Sequence, residues 1–368
     1  MKDGKRINVT RPFLPDFGEY MQELRPVWES HYLANRGSAV LRLEAMLREY
    51  LGVKNAVCFA NGHAALEIAI QTLNLPRGSE IITTPYTFCS TTHAIVRSGM
   101  TPVFADIETA HFNIDPDAIT ALITPSTRAI VATHVYGFPC DVGRIEEIAS
   151  RHGLYVIYDA AHAFGVKYRG VGIGNFGDAS MFSTHATKAF HTIEGGILAY
   201  NDARFDPAMS RGHFGLGGDD EVSYVGTDAW MNEFEAVMGI VNLRHIGGII
   251  AGRRAVAHRY WERLGGVEGI YCPRPDGNTE WNYVYLPVFF WGFRADRDKV
   301  KARLQENGIY ARRYFYPLMN EAACYADDYG GADVPKARRA ADNVLTLPLY
   351  SELEPDEVDK ICDIILSM

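Results

Sequence analysis

The stretches YDAAHAFG (158–165) and FSTHATKAFHTIEGG (182–196) decide the fold of this chain. Asp159 and Ser183 each stand at the end of an apolar run, and Lys188 follows shortly after Ser183. In a sheet of parallel strands that alternate with helices, ligands bind at the carboxyl ends of the strands. The three polar side chains are therefore expected to meet at one edge of such a sheet.

Apolar runs and helical patterns alternate around these stretches. Near-continuous apolar strands between helices are typical of a mostly parallel sheet that is covered on both faces. We predict a large α/β domain at residues 1–248, which includes an extended N-terminal segment over 1–20. The predicted strands are 56–60, 80–86, 101–107, 128–137, 154–162, 178–185 and 195–202, and the helices are 39–51, 63–73 and 144–153.

The pattern changes towards the C-terminus. A long helix is predicted at 228–246, with Asp228 as its N-cap. The domain boundary is expected within 245–260, and residues 249–368 are predicted to form a small α+β domain. Its strands are predicted at 283–290 and 309–315, and its helices at 296–308 and 354–368.

Composition excludes several classes of protein. The net charge is −9 and no Lys/Arg-rich tract occurs, which argues against nucleic-acid binding and against an anionic membrane surface. The six cysteines are scattered singly, so neither a disulfide framework nor a metal site is predicted. No secretory signal and no run of about 18 apolar residues is present, which favours a cytoplasmic enzyme without a membrane span.

Lys188, Asp159 and Ser183 are the residue types that a pyridoxal-phosphate site needs. An amine forms a Schiff base, an acid keeps the pyridine nitrogen protonated, and a hydroxyl helps to hold the phosphate. Taken singly, Lys188 is more often a surface lysine and Asp159 can be the N-cap of the next helix. Their combination favours the cofactor site.

Other segments supply weaker signals for the same site. The strand-to-helix turn Gly62, His63 and Ala64 offers free amides to a phosphate. Phe88 either stacks on a flat ring or belongs to the core, and His162 either contacts the phenolate oxygen or is a core histidine. The basic–aromatic cluster of Arg312, Arg313 and Tyr316 either binds phosphate or carboxylate, or is a solvated strand edge.

Several motifs together resemble the DegT/DnrJ/EryC1/StrS family of sugar aminotransferases, and the likeness runs over most of the chain. It implies a fold-type I, aspartate aminotransferase-like α/β architecture that binds pyridoxal 5′-phosphate (PLP, or PMP in its amine form). The motifs are YLANRGSAVLRLEAMLREYLG (32–52), NGHAAL (61–66), PYTF (85–88), PVFADI (102–107), HVYGFPCD (134–141), DAAHAFG (159–165), FSTHATKAFHTIEGG (182–196) and MNEFEAVMG (231–239).

The resemblance implies a role for each matching residue. Lys188 would link to the cofactor and then shuttle the proton, while Asp159 would pair with the pyridine nitrogen. His162 would lie by the phenolate oxygen and Phe88 would stack on the ring. The phosphate would be held by Gly62, His63, Ala64 and Ser183, and the substrate by Asn35, His185, Arg312, Arg313 and Tyr316.

The implied reaction moves an amino group from glutamate to a nucleotide-linked keto-6-deoxyhexose. The wording around Lys188 resembles members that act at C-4, which favours dTDP-4-keto-6-deoxyglucose and a 4-amino-4,6-dideoxy product for a surface glycan such as O-antigen or for a secondary metabolite. Members of the family are homodimers with shared active sites, and the segment around Asp228 matches the loop that enters the partner's site.

Other functions stay open. A C-3 keto-sugar aminotransferase and a non-catalytic, PLP-binding regulatory protein are the main alternatives. Lys188 disfavours a sugar dehydratase, because histidine replaces this lysine in such relatives. The motifs shared with the sugar aminotransferases disfavour an amino-acid lyase. A dinucleotide-dependent dehydrogenase is disfavoured because no GxGxxG follows the first strand.

Three residues depart from the family pattern at the phosphate end of the site. His63 stands where a threonine or serine is usual, Asp228 replaces a common asparagine, and Trp230 replaces a lysine or arginine. Each lost charged contact is worth about 1.5–3 kcal/mol. We therefore hypothesise that the protein holds the phosphate less tightly than its relatives, or holds it differently.

Overall fold

The computed structural model describes residues 6–217 and 221–368. Its strands are β1 (Ile7–Asn8), β2 (Asn55–Phe59), β3 (Glu80–Thr83), β4 (Thr101–Phe104), β5 (Thr127–Thr133), β6 (Tyr155–Asp159), β7 (Lys167–Tyr168), β8 (Val171–Gly172), β9 (Ala179–Ser183), β10 (Gly196–Tyr200), β11 (Ile270–Tyr271), β12 (Thr279–Glu280), β13 (Leu286–Phe290), β14 (Ile309–Tyr310) and β15 (Val344–Leu347). Its helices are α1 (Phe17–Ser30), α2 (Ser38–Leu51), α3 (Gly62–Thr72), α4 (Cys89–Arg97), α5 (Pro116–Leu122), α6 (Val142–His152), α7 (Pro207–Arg211), α8 (Glu233–Leu264), α9 (Arg297–Glu306), α10 (Ala326–Tyr329), α11 (Pro335–Asn343) and α12 (Pro355–Leu366).

A seven-stranded sheet forms the large unit, in the order β2-β10-β9-β6-β5-β3-β4. Strands β9, β6, β5, β3 and β4 pair in parallel, whereas β10 runs antiparallel between β2 and β9. Most side chains of these strands are buried, as expected for a sheet covered on both faces. The predicted α/β fold with a mostly parallel sheet is confirmed.

A smaller unit follows, built on the antiparallel sheet β11-β13-β15. Helices α9, α11 and α12 surround it together with part of α8. The N-terminal strand β1 pairs in parallel with β14, so residues near the start of the chain lie against the C-terminal part. Of the predicted strand 309–315 only β14 is regular, and Arg312 makes an isolated bridge to Thr346.

The long helix α8 differs from its prediction at both ends. It begins at Glu233, because the side chain of Asn232 accepts a hydrogen bond from the Glu235 amide at 3.0 Å and completes a capping box. Asp228 is not the N-cap, since it lies in an extended segment bridged to His213. The helix continues to Leu264 and spans the predicted boundary at 248/249 without a break.

Helix α8 is long and apolar enough to cross a membrane by length and composition alone. Half of its most apolar window is buried inside the protein, however, and the helix packs against α1, α2 and α12. The buried apolar side chains of α8 therefore form part of the hydrophobic core. The part of the predicted extended segment 1–20 that the structure describes is more regular than predicted, because α1 begins at Phe17 with Asp16 as its N-cap; residues 1–5 lie outside the described residues.

Candidate active site

A cavity of about 460 Å³ opens where the carboxyl ends of β2, β5, β6 and β9 meet the small unit. Parallel strands place the residues that follow them at the same edge, which is why distant sequence segments converge here. The cavity is lined by Asn61, Gly62, His63, Thr87, Phe88, Cys89, Ser90, His93, Thr133, Asp159, Ala161, His162, Met181, Ser183, His185, Thr187, Lys188, Glu194, Gly195, Tyr285, Arg312, Tyr314 and Phe315.

Lys188 projects into this cavity from the loop between β9 and β10. Its Nζ lies 5.5 Å from the ring centroid of Tyr285. Burial lowers the pKa of Lys188 to about 8, although the nearby Tyr314 and Asp159 oppose the shift. The amine is therefore far more easily deprotonated than an ordinary lysine, which suits a nucleophile and a proton carrier.

Hydrogen bonds join the two ends of the loop that carries Lys188. The Thr184 amide donates to the Gly195 carbonyl at 2.9 Å, and the Thr192 amide donates to the Thr184 carbonyl at 2.9 Å. The hydroxyls of Thr184 and Thr192 also share a hydrogen bond of 2.7 Å. These bonds continue the β9–β10 ladder and fix the backbone that carries Lys188.

Asp159, the last residue of β6, is 3% exposed, and both of its carboxylate oxygens are held. The Thr91 hydroxyl donates to Oδ2 at 2.6 Å, and the Ala161 amide donates to Oδ1 at 3.0 Å. Burial raises the pKa of Asp159, while these two donors and the charge of Lys188 oppose the rise. A buried carboxylate with spare acceptor capacity suits a protonated ring nitrogen as its partner.

His162 is buried and lies three residues after Asp159 in the chain. Burial and the charge of Lys188 hold the pKa of His162 well below its ordinary value. Its Nδ1 accepts a hydrogen bond from the Tyr136 amide at 3.2 Å, so the ring proton resides on Nε2. The ring lies parallel to Phe315, with centroids 5.7 Å apart.

The predicted phosphate cup at the start of α3 is formed by fewer amides than expected. The Ala64 amide is not free, because it donates to the Asn61 side chain at 2.8 Å as part of the helix cap. No hydrogen bond within the described residues uses the amides of Gly62 and His63. A Cβ on Gly62 would come within 3.2 Å of the Ser183 Cβ, so glycine allows Ser183 to lie against the turn.

Phe88 is 49% exposed and lines the cavity, which excludes the interpretation as a core residue. His185 also lines the cavity. Its Nδ1 lies 2.8 Å from the Thr187 hydroxyl, and its Nε2 lies 3.4 Å from Glu194. Arg312 also reaches the cavity and contacts the Tyr314 ring at 4.3 Å.

Two predicted substrate residues, Arg313 and Tyr316, do not line this cavity. Arg313 instead pairs with Asp298 at 3.6 Å and contacts the Tyr316 ring at 4.6 Å. The physical reason is local, because successive side chains of an extended segment point to opposite sides. Arg312 and Arg313 therefore cannot serve the same pocket.

Asn35 and Asp228 also lie outside the cavity of their own chain. Asn35 is exposed in the loop between α1 and α2, where it adopts a left-handed backbone with φ 61°. Asp228 is exposed on the segment that precedes α8. Trp230, on the same segment, stacks on His213 with ring centroids 3.9 Å apart.

Several residues of the site were not predicted, among them Thr91, which holds Asp159, and the lining residues Ser90, Tyr285 and Tyr314. Ser90 and Thr91 follow Phe88 within one helical turn, so the end of the predicted strand 80–86 was a usable signal for them. Tyr285 and Tyr314 come from the small unit, and no local pattern marks them.

The residues fit pyridoxal phosphate. The cavity offers an amine, a buried carboxylate with two fixed donors, an exposed aromatic ring and two unused amides at a helix N-terminus. These groups correspond to the aldehyde, the ring nitrogen, the ring face and the phosphate of that cofactor.

Comparison with known proteins gives consistent results. Residues 17–366 match the family model of the DegT/DnrJ/EryC1/StrS aminotransferases. The chain is 38% identical over 367 residues to dTDP-4-amino-4,6-dideoxy-D-glucose transaminase of Escherichia coli, covering 98% of both proteins.

Two solved structures have the same fold over nearly the whole chain. DesI, solved in the presence of its TDP-sugar product, is 32% identical with a TM-score of 0.92, covering 98% of this chain and 92% of DesI. Helicobacter pylori PseC, an aminotransferase involved in pseudoaminic acid biosynthesis, is 27% identical with a TM-score of 0.93, covering 99% of both. With its lysine, aspartate and cavity in place, the chain belongs to the DegT/DnrJ/EryC1/StrS family and is a PLP-dependent nucleotide-sugar aminotransferase.

Proposed function

We propose that this protein transfers an amino group from glutamate to C-4 of dTDP-4-keto-6-deoxyglucose. The observation that carries the proposal is the 38% identity, over 98% of both chains, to an enzyme named for the 4-amino-4,6-dideoxy product. The product would enter a surface glycan or a secondary metabolite. The motif around Lys188 supports the same position on the sugar.

When bound, pyridoxal phosphate supplies an electron sink that stabilises negative charge on the substrate carbon. Asp159 supports that property, because its buried carboxylate keeps the ring nitrogen protonated. Lys188 attaches the cofactor and then carries the proton, for which a pKa of about 8 is well matched to neutral pH. Thr91 positions Asp159 through its 2.6 Å hydrogen bond.

The remaining lining residues hold the ring in place. Phe88 offers its exposed face for stacking, and the Nε2–H of His162 is free to donate to the phenolate oxygen. Ser183 and the amides of Gly62 and His63 face the phosphate. His185 and Arg312 also line the cavity and would contact the substrates.

The protein would act as a homodimer in the cytoplasm. The described part of residues 209–230 forms a hairpin, in which His213 bridges Asp228 and Leu216 bridges Val222. Three of its apolar side chains are exposed, with Val225 87%, Val222 70% and Phe214 54% accessible. Burying them against a second copy would bring Asp228 to the partner's site, and Asn35 on the outer surface is placed for the same role.

The decisive experiment supplies purified protein and PLP with glutamate and a panel of 3-keto and 4-keto nucleotide sugars. We expect 2-oxoglutarate to form in an amount that exceeds the cofactor only when a 4-keto sugar is present. NMR spectroscopy of the product would show nitrogen on C-4. The dTDP-linked sugar should be used faster than its UDP- or GDP-linked counterparts.

Other outcomes would redirect the proposal. Nitrogen at C-3 would assign the C-3 aminotransferase activity instead. Absence of amino transfer to every sugar, with normal PLP binding, would favour the regulatory alternative. The Lys188→Ala variant is the control that must show no turnover.

A further inference from the structure

His63 lies where the first turns of α3 and α4 meet. Its Nδ1 is 2.9 Å from the Ser90 hydroxyl, and its Nε2 is 3.4 Å from Oε2 of Glu67, one turn further along α3. His63 and Ser90 line the cavity, whereas Glu67 lies behind them. The three side chains form a connected series that leads away from the cavity wall.

The charge of this group depends on one proton. Oε2 of Glu67 also accepts a hydrogen bond from Arg97 at 2.9 Å, so the Glu67–Arg97 pair is neutral overall. The Gln71 amide donates to the other carboxylate oxygen of Glu67. Among the described residues, His93 on α4 is a titratable neighbour of His63, and Lys188 lines the same cavity. A proton on His63 therefore gives the group a single positive charge.

The direction of the His63–Ser90 hydrogen bond follows from that proton. With a neutral ring whose N–H faces Glu67, Nδ1 accepts the Ser90 proton, and Ser90 presents only lone pairs to the cavity. With a protonated ring, both nitrogens donate, and the Ser90 proton is released to point into the cavity. An anion in the cavity favours the second arrangement.

We propose that Ser90, His63 and Glu67 bind the phosphate of the cofactor as a proton-coupled relay. His63 takes up a proton when the phosphate binds. Its ring then donates hydrogen bonds to Ser90 and to the Glu67 carboxylate, and Ser90 donates to the phosphate. The relay replaces the hydroxyl and the cation that the family carries at the positions of His63 and Trp230. The inference rests on the phosphate lying at the start of α3, as in the proposed function.

The test measures binding to the apo-protein without any sugar or turnover. The ligand is pyridoxamine 5′-phosphate, because its amine cannot link to Lys188. Calorimetry in buffers of different ionisation enthalpy gives the number of protons taken up. The phosphate has its second pKa near 6, but Lys188, with a pKa of about 8, and the ring nitrogen of the ligand also titrate near pH 7.5. The share of His63 is therefore the difference in proton uptake between the wild type and His63→Asn.

We expect the wild type to take up about half to one proton more than His63→Asn, which keeps a hydrogen-bonding side chain that does not titrate. Between about pH 6.5 and 8.5 the affinity of the wild type should fall roughly threefold to tenfold more than that of His63→Asn. Ser90→Ala should weaken binding, and pyridoxamine, which lacks the phosphate, should show no difference between the variants.

His93→Asn distinguishes the neighbouring histidine, because proton uptake should persist in that variant. Glu67→Gln provides a second route if His63→Asn does not fold, and its uptake should be reduced. Equal uptake in the wild type and His63→Asn, or wild-type affinity in Ser90→Ala, would overturn the relay. Neither result would affect the amino-transfer reaction, which the sugar panel tests separately.

Discussion

The burial of Lys188 that lowers its pKa also lowers the stability of the unliganded protein. Its folded pKa of about 8 lies below its ordinary value of about 10.4, so between these values the unfolded chain binds more protons and stability rises with pH. Below about pH 8 the folded protein carries the full penalty of a partly buried ammonium.

We predict that the apo Lys188→Met variant is more stable than the apo wild type by about 1–3 kcal/mol at neutral pH, after allowance for partial exposure. The difference should shrink as the pH rises from about 8 to about 10. Urea unfolding at several pH values and one protein concentration measures it. Lys360→Met, at an exposed lysine, is the matched control and should show no such trend; a constant difference for Lys188→Met would contradict the argument.

Thr91 provides a second test at the scale of one residue. Removing its hydroxyl should raise the pKa of Asp159 further, because burial would then be opposed by one donor fewer. We predict that Thr91→Val moves the acid limb of the kcat profile upward by about one pH unit, since a charged hydrogen bond is worth about 1.5–3 kcal/mol.

Thr92 offers the matched control for that variant. Its hydroxyl is buried with no hydrogen-bond partner in the described part of the chain. Thr92→Val should therefore leave the pH profile unchanged while it tests for disturbance of α4. If both variants gave the same acid limb as the wild type, Thr91 would not position Asp159.

Sequence patterns predicted some residues of the site but not others. Asp159, Ser183 and Lys188 were predictable, because each follows a strong apolar run and such strand ends share an edge of the sheet. Tyr285 and Tyr314 were not, since their place in the cavity depends on how the small unit packs. The opposite directions of Arg312 and Arg313 also required the backbone.

At the scale of secondary-structure elements, the turn between β2 and α3 packs closely against the start of β10. A Cβ on Gly196 would lie 2.5 Å from backbone atoms of Asn61 and Gly62. We predict that Gly196→Ala costs about 1–3 kcal/mol of stability and weakens cofactor binding, because backbone cannot yield as a flexible side chain does. Denaturant midpoints and cofactor titration measure the two effects.

Gly248 on α8 is the control for that substitution. A Cβ there meets open space, so Gly248→Ala should raise the free energy of unfolding by up to about 1 kcal/mol. If Gly196→Ala behaved like Gly248→Ala, the turn would have more freedom than the packing indicates.

The first and last residues of α8 could not be predicted from the sequence pattern. Asp228 and Asn232 are both good N-cap residues, and only the pairing of residues 228–230 with neighbouring backbone makes the first of them extended. Gly247 and Gly248 directly follow the predicted end of the helix at residue 246, yet α8 continues through them to Leu264.

At the scale of the whole molecule, the exposed hairpin predicts the oligomeric state. Val225→Asp should weaken the proposed dimer at least tenfold, which is about 1.4 kcal/mol, without unfolding the protomer. Sedimentation velocity over a range of concentrations measures the change. Activity should fall with the dimer, because Asp228 lies on the same hairpin.

Val171→Asp is the matched control, since Val171 is also exposed but lies on β8. It should leave the dimer intact. A Val225→Asp protein that sediments like the wild type would place the interface elsewhere. The overall architecture was predictable from alternating strands and helices, whereas the pairing of β1 with β14 was not, because two residues carry no pattern.

The closed base of the lysine loop limits how far the amine of Lys188 can travel. With both ends of the loop fixed to β9 and β10, the loop that carries Lys188 stays at this edge of the sheet, and rotation about the side-chain bonds moves the amine within the cavity. Glutamate and the sugar must therefore come in turn to one place, and each excludes the other. Excess of either substrate should consequently inhibit the reaction by competition with the other.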